Sequence, residues 1–318
     1  MPEKTPKPLL AIDPRTWEHP ADRAALNALR KLPGFDEILK KLFGFFGEKP
    51  VRLAFQANAV KASPTQFARV HRLYEQAAAA LDAPAPYPVY VSQTPMVNAG
   101  AYGMEKPFII INSGMLLLMD DDELQFVLGH EIGHIMSGHV LYTTMMVILL
   151  QLAERGFPIV GLAARAVLMG LLEWYRKAEL SSDRAGILSV QDPEVGMRAM
   201  LKLAGGGNVS DSNLPEFIRQ ADEYRDTGDL ADQVFKVLNL LGANHPFPVL
   251  RVAEMRDWFQ SGSYERILGG EYHRRGEPEP AYFDDLAAAG RSYADSARAT
   301  FGSAAEAARR MVDSVWRP

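Results

Sequence analysis

His130-Glu131-Ile132-Gly133-His134 sets two imidazoles four residues apart, with a carboxylate beside the first. Residues at that spacing lie on one face of a helix, so both rings can meet one metal ion. Glu131 sits one position round, where it can reach a metal-bound water rather than the metal. The chain has no cysteine, so any further ligand must be a histidine or a carboxylate. His139 is nearest, but five residues after His134 it points off a continuing helical face. Glu179 and Asp183, one helical turn apart, are the stronger source. One can bind the metal while the other accepts the free ring N–H of a ligating histidine. His245-Pro246-Phe247-Pro248 opens a later segment. Taken alone it reads as a helix start punctuated by proline; beside a metal, His245 could donate to an oxyanion formed at a peptide carbonyl.

The elements that must carry these residues are readable in outline. Asp120 caps a helix, with Glu123 three residues on, that runs to about Ser137 and ends at Gly138. Gly129 and Gly133 weaken that helix, which makes sense if a strand or loop approaches it closely. Helical pattern resumes over 140–150, 159–188, 193–203, 214–225 and 247–259, with Gly205-Gly206-Gly207 as a loop. Upstream, Pro33-Gly34 divides 21–49 into two short helices. Val51–Phe55 reads as a strand, and Ser63-Pro64-Thr65-Gln66 as the cap of a helix reaching Leu81. Val89–Val91 and Phe108–Ile111 are the best strand candidates, with a turn or bulge over 97–103 between paired strands.

The 318 residues suffice for a core without disulfides. Hydrophobic residues make up 47% and charged residues 23%, which fits an ordered globular chain. The net charge of −5 offers no basic footprint, so nucleic acid is not an expected partner. The absence of cysteine excludes a thiol nucleophile and an iron–sulfur cluster. No apolar leader follows the N-terminal lysines, and the uncharged run 140–153 is shorter than a membrane span. A cytoplasmic protein is therefore expected, with peripheral membrane contact as the remaining role for 140–172. The expected organisation is a flexible arm over 1–20, a catalytic unit over 21–268 with a helical insert at 140–172, and a linker with a C-terminal helical extension over 269–318.

With these segments in view, the sequence resembles the HtpX and CAAX-prenyl-endopeptidase family of zinc metallopeptidases, within the gluzincins. Four segments carry the resemblance in the family's order. They are Asn98-Ala99 with the strand at 108–111 and Gly114; His130 to His134; Arg176-x-x-Glu179-x-x-x-Asp183; and His245-Pro246 with Arg251. The chain departs at Ser181-Ser182-Asp183, where the family usually has Glu-Ala-Asp, and its 140–172 region is shorter and more interrupted than the hydrophobic hairpin of membrane-embedded relatives.

The resemblance implies an α+β, mainly α-helical gluzincin metalloprotease domain, with a small antiparallel sheet beside the metal-binding helix. It implies one zinc held by His130, His134 and Glu179, with Asp183 behind a ligand. It also implies a metal-activated water with Glu131 as general base, and hydrolysis of extended or unfolded protein segments. Asn98, Ala99, Gly100 and Ala101 would hold the substrate by strand addition. His245 would be an oxyanion donor or a latch on the open metal position. The alternative is a zinc protein with a blocked or structural site that acts as a membrane-associated scaffold. The oligomeric state is left open by the sequence.

Overall fold

The long apolar helical segments of this chain need an apolar partner, and they find it in one another and in a four-stranded sheet. A computed structural model describes residues 6–32, 34–46, 48–154, 162–207, 211–226 and 247–278. Helices α1 (Pro20–Arg30), α2 (Phe35–Phe46) and α3 (Glu48–Gln56) lead to β1 (Ala59–Lys61) and α4 (Ala68–Ala80). Then come β2 (Val89–Ser92), β3 (Ala99–Tyr102), β4 (Phe108–Asn112) and α5 (Ser113–Leu118). The remainder is helical: α6 (Asp121–Met136), α7 (Val140–Glu154), α8 (Leu162–Val190), α9 (Pro193–Gly205), α10 (Leu214–Asp226), α11 (Pro248–Gln260) and α12 (Ser263–Leu268). The α+β, mainly helical class read from the sequence is the observed one.

The sheet order is β1-β2-β4-β3. β1 and β3 pair antiparallel with their neighbours, but β2 and β4 run parallel, Val89 opposite Ile109. The sheet is therefore mixed, not antiparallel. The segment expected as a turn, 97–103, contains the edge strand β3, with Ala99 opposite Ile111. Its Gly and Ala residues hid a strand that needs little side-chain bulk.

Two local readings are corrected. Val51–Phe55 lies in helix α3; only one of its residues is β-branched, and Pro50 is tolerated in the first turn. Residues 63–66 form a turn closed by Ser63 and Gln66, so α4 begins at Ala68 after a left-handed Phe67 (φ 49°). The Gln66 amide donates back to Lys61 O at 2.7 Å instead of closing a capping box.

Two buried clusters share α8. The larger joins the sheet, α4, α6, α9, α11 and the C-terminal part of α8; the smaller joins α1, α2, α7 and residues 167–178 of α8. The insert at 140–172 is thus α7 plus the start of the helix that carries Glu179. Residues 6–20 are not a flexible arm. Leu9, Ile12 and Trp17 are buried in the larger cluster, and Trp17 Nε1–H donates to Ser137 Oγ at 3.1 Å. Residues 269–278, expected as linker, fold back on this segment: Ile12 pairs with Arg274, and Asp13 N–H donates to His273 O at 2.9 Å. Residues 1–5, the middle of the insert at 155–161, and the C-terminal extension expected over 283–316 lie outside the described residues.

Candidate metal centre

Helix α6 starts as its sequence dictates. Asp120 accepts from Glu123 N–H at 2.9 Å, and the Glu123 carboxylate accepts from Asp120 N–H at 3.0 Å. The helix ends at Gly138, whose φ of +73° suits a residue without a side chain. Within α6, His130, Glu131 and His134 are all buried.

Gly129 and Gly133 face a helix rather than a strand or loop. A Cβ at Gly133 would lie 2.5 Å from the Ala185 Cβ, and one at Gly129 would collide with Ser189. On the opposing face, a Cβ at Gly186 of α8 would lie 2.8 Å from the Phe126 ring. These small residues let α6 and α8 pack closely enough for the side chains of Glu179 and Asp183 to reach the two histidines.

The donor atoms then converge. His134 Nε2 lies 3.1 Å from His130 Nε2 and 3.1 Å from Glu179 Oε1, and His130 Nε2 lies 3.7 Å from Glu179 Oε2. One ligand atom from each of the three falls within 4.8 Å of the others. Ligand bonds of ~2.0–2.2 Å in a tetrahedral zinc site put neighbouring donors about 3.3 Å apart, so the spacing suits one such ion. The set of two imidazoles and one carboxylate is also a catalytic-zinc set that leaves a coordination position open. The residues present therefore fit the metal.

The electrostatics point the same way. Burial disfavours charge on both rings and pushes His134 down to about 4, with neighbouring His130 adding to the effect. For His130 burial is outweighed by the carboxylates of Glu179 and Asp183, which raise it to about 10. The carboxylates thus favour positive charge beside His130, while burial holds His134 neutral.

Each histidine of the cluster has a partner on its far side. His130 Nδ1–H donates to Asp183 Oδ1 at 3.0 Å. Asp183 also accepts from Arg251 Nε–H of α11 at 2.8 Å, and Arg251 Nη1 reaches Glu179 Oε2 at 3.3 Å. Burial would raise the Asp183 pKa, but Arg251 and His130 hold it below its ordinary value. His139, which helical phase pointed away, turns back to His134 with Nδ1 atoms 3.0 Å apart. Its Nε2 meets Asp22 Oδ2 at 3.0 Å. Sequence reasoning gave Arg251 no role and missed Asp22 altogether. A buried acid on a helix after a supposed arm leaves no local signal.

Tyr175 stacks on His134 at 5.9 Å and 11°. Burial raises its pKa, and the carboxylates of Glu179 and Glu131 add to this. Of the expected substrate residues, Ala99, Gly100 and Ala101 lie in β3, and Asn98 O accepts from Asn112 N–H at 3.0 Å. β3 is at the sheet edge and packs beside α6. The Tyr102 ring folds back over Gly100, its hydroxyl 2.5 Å from where a Cβ would be. His245 and Pro246 lie outside the described residues.

Comparison with known proteins bears on this geometry. Residues 64–259 match the profile of Peptidase family M48. The chain belongs to that family. It is a metalloprotease of the HtpX-like type. It is 35% identical over 264 residues to the plastoglobule-localized metallopeptidase 48, chloroplastic, of Arabidopsis thaliana, covering 81% of this chain and 76% of that one. A protease HtpX homolog of Caldanaerobacter subterraneus is 37% identical over 93 residues, 29% of this chain and 31% of the relative. Metalloprotease LoiP of Escherichia coli is 37% identical over 57 residues, 18% of this chain and 21% of its own length. No solved structure matches. The matched residues 64–259 take in His130, Glu131, His134, His139, Glu179, Asp183 and Arg251, but not Asp22.

Proposed function

We propose that this M48 peptidase is a zinc endopeptidase acting on extended or unfolded protein segments, with His130, His134 and Glu179 as the metal ligands. The convergence of those three donor groups, with Glu131 beside them on α6, carries the proposal. Zinc bound there would act as a Lewis acid that makes a coordinated water a nucleophile at neutral pH. The Glu131 carboxylate takes the proton from the attacking water and delivers it to the leaving amine nitrogen. Asp183 and Arg251 hold His130 and Glu179 in register. The edge strand β3, through Asn98, Ala99, Gly100 and Ala101, pairs its main chain with the substrate, which selects flexible segments over folded surfaces. His245 is the second donor to the charge that develops on the carbonyl oxygen.

The catalytic unit of this proposal runs from residue 6 to 278, because 6–20 and 269–278 pack on it. Peripheral contact with a lipid surface belongs to the same reading. It is supported by the plastoglobule location in the name of one relative. Among the described residues no single helix is long and apolar enough to cross a membrane, while the pair Asp121–Met136 and Val140–Leu152, bent by 98°, meets the length and composition test together.

The test is metal analysis with a casein-cleavage assay. Wild type should carry one zinc per chain, and Glu131→Gln should keep the metal and lose hydrolysis. A Glu131→Gln variant that cleaves at the wild-type rate would overturn the assignment.

A further inference from the structure

We propose that Asp22 and His139 form a relay that fixes the tautomer and orientation of His134, so that the N-terminal helix α1 helps to build the metal centre. The inference rests on the reading of His134 as a metal ligand. Its starting point is Asp22, a carboxylate only 2% exposed. Such a group is costly to bury unless its lone pairs are satisfied. Trp174 Nε1–H donates to Asp22 Oδ1 at 2.9 Å, and Ser181 Oγ–H donates to Oδ2 at 2.6 Å. Ser181 Oγ in turn accepts from His19 N–H at 2.9 Å, which leaves the Ser181 proton for Asp22.

The remaining contact of Asp22 is with His139. A carboxylate only accepts, so His139 Nε2, 3.0 Å from Oδ2, must carry a proton. The other ring nitrogen of His139, Nδ1, faces the Nδ1 of His134. With His134 binding the metal through Nε2, its proton sits on Nδ1, so His134 Nδ1–H donates to His139 Nδ1 at 3.0 Å. With its proton on Nδ1, His134 has its Nε2 lone pair directed at His130 Nε2 and Glu179 Oε1. The chain of bonds thus runs His134 Nδ1–H to His139 Nδ1, and His139 Nε2–H to Asp22. Trp174 packs edge-on against the His139 ring at 5.5 Å and 81°, which fixes its plane. His130 reaches its carboxylate, Asp183, directly; His134 reaches one through an interposed imidazole.

This makes specific demands on residue 181. The hydroxyl of Ser181 donates to Asp22, whereas a carboxylate there would face Asp22 across the same buried space. A serine is therefore the compatible residue as long as Asp22 supplies the negative charge.

The experiment uses the full chain and zinc alone. Zinc affinity is measured by chelator competition for wild type, Asp22→Asn, His139→Phe and His139→Gln, with the thermal stability of each metal-free protein recorded beside it. An amide at 139 can accept from His134 and donate to Asp22, while a phenyl ring fills the space and does neither. His139→Phe and Asp22→Asn should bind zinc about 10- to 100-fold more weakly. His139→Gln should stay within a few-fold of wild type. In wild type, nitrogen-15 correlation spectra should show His139 as the Nε2–H tautomer and His134 as the Nδ1–H tautomer. The ring signals of His139 and His134 are assigned in wild type, by through-bond correlation of each ring with its own backbone. If His139→Phe binds zinc as tightly as wild type, or if His139 carries its proton on Nδ1, the relay is wrong. The tautomer measurement decides the matter even if the variants fail to fold. A wild type that binds no zinc would overturn the zinc assignment of the preceding section, and the spectra would still judge the relay.

Discussion

Glu179 and Asp183 are near-identical groups one turn apart on α8, yet their surroundings separate them. Glu179 faces the Nε2 atoms of both histidines, whereas Asp183 faces the Nδ1 side of His130 and the Arg251 guanidinium. Asp183→Asn should therefore weaken zinc binding about 10- to 100-fold, and less than Glu179→Ala does, by chelator competition. Equal losses would make Asp183 itself a ligand. At this scale, His130 and His134 on α6, and Glu179 and Asp183 on α8, were legible because each pair sits one turn apart on a continuous helix. His139 was not, for a reason that can be named. Helical phase holds only while the helix continues, and the left-handed Gly138 ends it, so His139 returns to the face that phase had denied it.

Between α6 and α8 two opposing effects can be weighed. Alanine at Gly129 or Gly133 should help an isolated helix by ~1 kcal/mol. Here the added Cβ at Gly133 would lie 2.5 Å from the Ala185 Cβ, and overpacking of that kind typically costs about 1–3 kcal/mol. Rotation of Ser189 does not relieve a methyl at Gly129, because its Cβ would still lie 2.4 Å away. Both Gly129→Ala and Gly133→Ala should lower thermal stability and weaken zinc binding, since the helices that carry His130, His134 and Glu179 must separate. Higher stability in either variant would mean that local propensity outweighs this contact. The sequence announced the close approach through its glycines but not its partner, because Ala185, Gly186 and Ser189 carry no signal of their own. It also misread 51–55, whose composition permits the helix it forms, and 97–103, where an edge strand is set by its neighbours.

At the scale of the described molecule, residues 6–20 dock on the larger core and pair with residues 269–278. Residues 6–20 read as an arm because five prolines fall within 1–20, and composition outweighed three apolar side chains that lack any periodicity. Those three, Leu9, Ile12 and Trp17, are what dock the segment, and α1 follows directly with Asp22. Docking the terminus and building the back of the metal centre are thus one structural event. Trp17 is fully buried, so Trp17→Ala leaves a large cavity and an unpaired Ser137 hydroxyl. Such truncations cost roughly 3–5 kcal/mol, a large part of a typical stability of about 5–15 kcal/mol. Trp17→Phe keeps most of the ring and loses chiefly the hydrogen bond, which contributes about 1 kcal/mol. In urea denaturation the alanine variant should lose several-fold more stability than the phenylalanine variant, and its zinc affinity should fall as α1 loosens. If Trp17→Ala unfolds at the wild-type midpoint, the segment contributes nothing to the core and α1 holds Asp22 in place without it.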